Sequence, residues 1–141
     1  MKIKLFTLLS LLVLFFAGCK KDDEEEKSPL IGTWKKTKIE SKTSTTNWTT
    51  DTRTCYNDDV EEYSDGGAWA SYDGTKQCSA GTGIIKGTWK LAAGDTKIIY
   101  TYQGYTGEYE STIETSTATS LVLTQSTGDV KNTQIRTTYQ K

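Results

Sequence analysis

From Leu30 onward, apolar and polar side chains alternate in short runs, and Gly, Asp or Asn breaks the pattern about every ten residues. Such spacing describes strands joined by tight turns. The pattern predicts strands at Leu30–Ser41, Val60–Ser64, Ala68–Tyr72, Ile84–Ala92, Thr96–Gln103, Glu108–Thr115, Thr119–Ser126 and Val130–Gln140. Thr52–Tyr56 reads as a further, partly irregular run. In Glu108–Thr115 the alternation is cleanest. Tyr109, Ser111, Ile113 and Thr115 are expected to face inward, with Glu108, Glu110, Thr112 and Glu114 in water. Between Ile84 and Ala92, the residues Ile85, Gly87, Trp89 and Leu91 share one face. About eight strands with short connections predict an all-β, eight-stranded antiparallel up-and-down barrel, a sandwich being the alternative.

Residues 1–18 have a different pattern. Lys2 and Lys4 precede an apolar run from Leu5 to Phe16, far short of the roughly twenty residues a spanning helix needs. A positive end, a short apolar centre and small residues at the exit describe a secretory signal peptide. Phe16-Ala17-Gly18-Cys19 resembles the lipobox of bacterial lipoproteins, with Phe16 where Leu is usual. That resemblance implies cleavage before Cys19 and acyl chains on its thiol. One chain gives marginal membrane binding, whereas two or three give a durable tether. The division is then 1–18 signal peptide, 19–29 lipidated cysteine with an acidic linker, and 30–141 barrel domain.

The run from Lys20 to Pro29 has no apolar residue and cannot bury anything, so a solvated linker is expected. Lys21-Asp22-Asp23 resembles the acidic export signal of surface lipoproteins of the Bacteroidota. The resemblance implies an outer-membrane anchor with the domain facing out of the cell, the periplasmic face being the alternative.

Composition adds to this. All three Phe and the one Met precede Cys19, and the chain has no His. Core material after Ser28 is therefore Ile, Leu and Val plus four Trp and eight Tyr. Seventeen basic against eighteen acidic residues leave no basic excess to hold phosphates, so no nucleic-acid partner is expected. With Cys19 acylated, Cys55 and Cys78 remain as a pair in an oxidising compartment, and a disulfide is expected. Closing that loop is worth roughly 3 kcal/mol. Metal ligation would need further His or Cys, so no metal or cofactor is expected.

Leu30-Ile31-Gly32-Thr33-Trp34 carries the Gly-x-Trp of lipocalins. In order follow Cys55, Asp58-Asp59, Tyr63, Asp65-Gly66-Gly67, Cys78, a second Gly-Thr-Trp at Gly87–Trp89, and Leu121-Val122-Leu123. Together these resemble the lipocalin-like domain of Bacteroidota lipoproteins, which usually has Phe where Tyr63 stands. The resemblance implies that Gly32, Trp34, Gly87 and Trp89 close the barrel. It also implies that a basic side chain of the last strand covers Trp34. Arg136 is the candidate, although its phase against Ile135 and Tyr139 also allows an outward position.

Without His, acid–base chemistry would fall to carboxylates, Lys or Tyr. Asp58, Asp59, Glu61 and Glu62 form the densest acidic group. A solvated strand start, with Asp58 or Asp59 capping turn amides, explains it better than catalysis or cation binding. No enzyme is expected. Two functions remain. In one, the barrel mouth holds a small amphipathic ligand against Trp48, Trp69, Tyr72, Tyr100, Tyr102 and Tyr109. In the other, a monomeric barrel meets a partner protein or glycan through its loops, with Trp48 as the first contact.

Overall fold

The computed structural model describes residues 27–78, 83–129 and 131–141. The expected leader, Cys19 and the charged run up to Glu26 lie outside the described residues, as does Val130. Nine strands follow in chain order: β1 (Gly32–Lys42), β2 (Thr49–Thr50), β3 (Val60–Tyr63), β4 (Ala68–Tyr72), β5 (Ile84–Ala92), β6 (Lys97–Tyr102), β7 (Tyr109–Ser116), β8 (Ser120–Ser126) and β9 (Gln134–Gln140). From β3 to β9, each strand pairs antiparallel with the next. β1 pairs with β3 on one side and with β9 on the other, from Lys35↔Gln140 to Lys42↔Gln134. Eight strands thus close into an up-and-down antiparallel barrel. β2 is a two-residue addition beside the far end of β1.

The barrel has a plugged end and an open end. At the plugged end lie the start of β1, the finish of β9 and the turns β3–β4, β5–β6 and β7–β8. Leu30 and Trp34 fill it, both essentially without solvent exposure, and the Trp34 indole donates to the Leu30 carbonyl at 2.7 Å. Inward positions of the other strands add Tyr63, Trp69, Trp89, Ile98, Tyr100, Leu121, Leu123 and Tyr139. Aromatic rings dominate this core because the chain offers few aliphatics, and they pack edge to face: Tyr63 meets Trp89 with centroids 5.5 Å apart.

Long loops gather at the open end. Thr52–Tyr56 contains a 3-10 turn, Thr54–Tyr56, and no strand. Cys55 in that turn is bonded to Cys78 after β4, with Cα atoms 5.2 Å apart, inside the usual disulfide range. Asp58 and Asp59 cap backbone amides across the same junction. Asp58 accepts from the amides of Thr75 (2.8 Å) and Lys76 (3.3 Å), and Asp59 accepts from that of Gly74 (3.0 Å).

A register shift corrects one inward assignment. A shift between Ile113 and Thr115 in β7 leaves Thr115 exposed and puts Ser116 opposite buried Leu121. One extra residue is enough to exchange the faces of everything beyond it. A second shift between Lys36 and Lys38 puts Ile39 opposite Thr137, and Glu40 opposite Arg136. β9 itself pairs with β8 without a shift, so Arg136 stays out of phase with buried Tyr139, points away from the interior and does not cover Trp34. That place belongs to Lys141, whose ammonium lies 4.6 Å from the Trp34 ring and donates to the carbonyls of Pro29 (3.3 Å) and Ile31 (3.0 Å).

Gly32 has a φ of +131° and packs under the Lys141 side chain, a backbone conformation that other residues resist. Gly87 lies within β5 rather than at its start. A Cβ there would sit 1.7 Å from the Thr101 carbonyl oxygen, so β5 and β6 pair closely only because the side chain is missing. We expect Gly87→Ala to push these strands apart and destabilise the domain by about 3 kcal/mol. Urea unfolding followed by tryptophan fluorescence would measure it; unchanged stability would contradict the close approach.

Candidate functional site

Tyr63 and Glu61 share one face of β3, and the ladder to β1 sets that face opposite Trp34. Glu61 therefore enters the barrel, where it is only 9 % exposed. The expected solvated strand start does not hold at this residue or at Asp59, which is also buried, although Glu62 points outward and is partly exposed. Tyr139 donates to Glu61 Oε1 at 2.7 Å. Oε2 accepts from Tyr63 at 2.8 Å and from the Trp69 indole at 3.4 Å. Tyr63 and Tyr100 hydroxyls are themselves 2.8 Å apart. β3, β4 and β9 thus each send one polar aromatic tip to a single carboxyl group, and Tyr100 of β6 joins through the Tyr63 hydroxyl.

Three donors directed at two oxygens suit an ionised carboxylate, which only accepts. Among the described residues no Lys or Arg forms an ion pair with Glu61. Lys36 is engaged by Asp59 at 3.3 Å. A buried charge without a counter-charge is costly, and hydrogen bonds from neutral donors offset part of that cost.

Beside this carboxyl group is an interior cavity of about 60 Å³. Its wall comprises Glu61, Trp69, Tyr100, Tyr102, Ser111 and Tyr139, with Leu123, Thr137, Gln125 and Ile135 opposite. Tyr102, Gln125 and Ile135 are half-buried and lie towards the open end. By the same measure one water needs roughly 10–15 Å³, so the space takes a small head group and not a whole amphiphile.

Of the six aromatics expected to line a ligand site, four come together. Trp69 packs against Tyr100 (5.5 Å) and Tyr102 (5.4 Å), and Tyr102 packs against Tyr109 (4.5 Å). This row runs from the buried cavity to the rim. The other two lie elsewhere. Tyr72 alternates out of phase with inward Trp69 and bonds Glu62 at 3.1 Å on the outer wall. Trp48 folds back on the outside of the barrel, between Arg136 (4.2 Å) and Lys42 (4.6 Å). There Arg136 also grips Glu40 through two nitrogens at 2.8 and 2.9 Å, and Lys38 first, then Arg136, hold the Glu40 carboxyl below its ordinary range.

The large apolar side chains most exposed to solvent are Ile84, Ile85, Tyr105 and Tyr109. All four lie at the open end, around the start of β5 and the β6–β7 loop. Reading by residue type missed both this clustering and the part played by Glu61, Tyr63 and Tyr139. The one available signal was the phase of Glu61 with Tyr63. Among the described residues no group of three His, Cys, Asp or Glu is placed to hold a metal, and no helix is long and apolar enough to cross a membrane. The chain matches no protein-family model, no curated protein and no solved structure.

Burial, and next the charge of Glu61, push the phenols of Tyr63, Tyr100 and Tyr139 well above their ordinary range. A phenol held neutral in the fold keeps its proton more tightly than in the unfolded chain. Stability is therefore complete below about pH 10 and falls as pH rises through the folded-state values. Once the unfolded phenols ionise, three such groups give a slope of up to about 4 kcal/mol per pH unit. An alkaline titration by ultraviolet absorbance should show these three ionising together with unfolding, after the exposed tyrosines. Smooth titration of every tyrosine near pH 10 would contradict the buried network.

Proposed function

We propose that this chain is a lipid-anchored envelope lipoprotein with a lipocalin-like barrel, which binds a small amphipathic ligand through its open end and performs no catalysis. The observation that carries the reading is the aromatic row from the Glu61 cavity to Tyr109, ending beside exposed Ile84, Ile85 and Tyr105. A polar pocket at the bottom of an apolar mouth matches a guest with a polar head and a greasy tail. Lys27 to Leu30 lead into the barrel at the plugged end, so an anchor on Cys19 would leave the mouth free to face away from the membrane. The acidic run behind Cys19 favours an anchor in the outer membrane with the domain outside the cell.

Loop-mediated binding of a protein or glycan has less support, since Trp48 is held against the barrel wall and does not project. Native mass spectrometry of the full-length protein, extracted from its own envelope, tests both halves of the proposal. The expected spectrum shows acyl chains on Cys19 and a small molecule that leaves on gentle activation. An unmodified Cys19 thiol would end the anchor reading. A barrel that is always empty, and whose tryptophan fluorescence ignores every added amphiphile, would end the ligand reading.

A further inference from the structure

We propose that the ligand's polar head is a cation, an ammonium group that pairs with Glu61 inside the barrel. The proposal rests on the amphiphile reading above and narrows it. A carboxylate offers about four acceptor positions. Glu61 receives three hydrogen bonds, one of them at 3.4 Å, and Oε1 receives only the bond from Tyr139. At least one acceptor position is thus unfilled, and Glu61 belongs to the wall of the 60 Å³ cavity.

The surroundings favour positive charge as well. Each neighbour that bonds the carboxylate is neutral, and the nearby Lys36 is already paired with Asp59. Trp69, Tyr100 and Tyr102 contribute rings to the same wall, and aromatic faces attract cations. An anionic head would meet Glu61 with like charge in a place with little water to screen it. A neutral hydroxyl could bond there but would leave the charge uncompensated. Size agrees: a primary ammonium with its first methylenes fits the cavity, and the remaining tail would follow Tyr102 and Tyr109 towards Ile84 and Ile85.

Head groups on one common tail distinguish these cases. Hexylamine, hexanol and hexanoate would be titrated calorimetrically into the full-length chain at neutral pH, where the amine is protonated. We expect hexylamine to bind roughly tenfold or more tighter than hexanol, and hexanoate not to bind. Glu61→Gln, checked for folding by circular dichroism, should lose the preference for hexylamine while keeping hexanol binding. If that variant does not fold, the ranking of the three heads on the unaltered chain decides. Equal binding of amine and alcohol, a preference for hexanoate, or a folded Glu61→Gln that keeps the amine preference would each overturn the cation assignment and leave the amphiphile reading intact. Silence from all three compounds would overturn both.

Discussion

Pairing β1 with β9 closes the sheet, and closure creates a fixed interior volume that the inward face of every strand must fill. A chain with abundant Phe and Leu would fill it with hydrocarbon. Here the domain has neither Phe nor Met, so Trp and Tyr take up most of that volume. Each ring brings a hydrogen-bond donor that must find a partner once it leaves water. Near the plugged end backbone carbonyls serve: Leu30 accepts from Trp34, and Ser64 accepts from Trp89. In the middle of the barrel Glu61 is the acceptor.

Seen this way, the buried carboxylate is a consequence of an aromatic core under closure. It does the structural work of satisfying Tyr63, Trp69 and Tyr139. It also leaves a negative charge at the base of the mouth with neutral neighbours. The same side chain can therefore hold the core together and select what enters. These two roles have different signatures, because the first concerns stability and the second the charge of the guest.

Outside the barrel a second arrangement secures the long β1–β3 loop. Glu40 is buried on the outer wall between Lys38 and Arg136, and Trp48 lies over Arg136 and Lys42. The Cys55–Cys78 bond joins the same loop to the one after β4. Two loops of the open end are thereby held to the wall or to each other. The β6–β7 loop, tied to β5 by the Lys90–Glu108 pair at 2.7 Å, leaves Tyr105 72 % exposed and carries much of the apolar rim.

Period-two alternation determined the number of barrel strands and their order, because a meander with short turns has one simple closure. Local chemistry also pointed to the disulfide pair and to the capping by Asp58 and Asp59, whereas the need for Gly at 87 comes from the approach of the β6 backbone. Position relative to the barrel axis was another matter. Register shifts in β1 and β7 come from how ladders meet across the sheet, and each reverses the faces of all residues beyond it. That is why Thr115 gives way to Ser116, whereas Arg136 lies over Trp48 because it is out of phase with inward Tyr139, and Trp34 is left to Lys141. Tyr72 and Tyr100 are alike as residue types, and only the closed sheet turns one outward and the other in. Glu61 read as a solvated acid because composition alone cannot reveal that three aromatic donors from other strands converge on it. That convergence joins residues up to 78 positions apart, and only the tertiary structure could decide it.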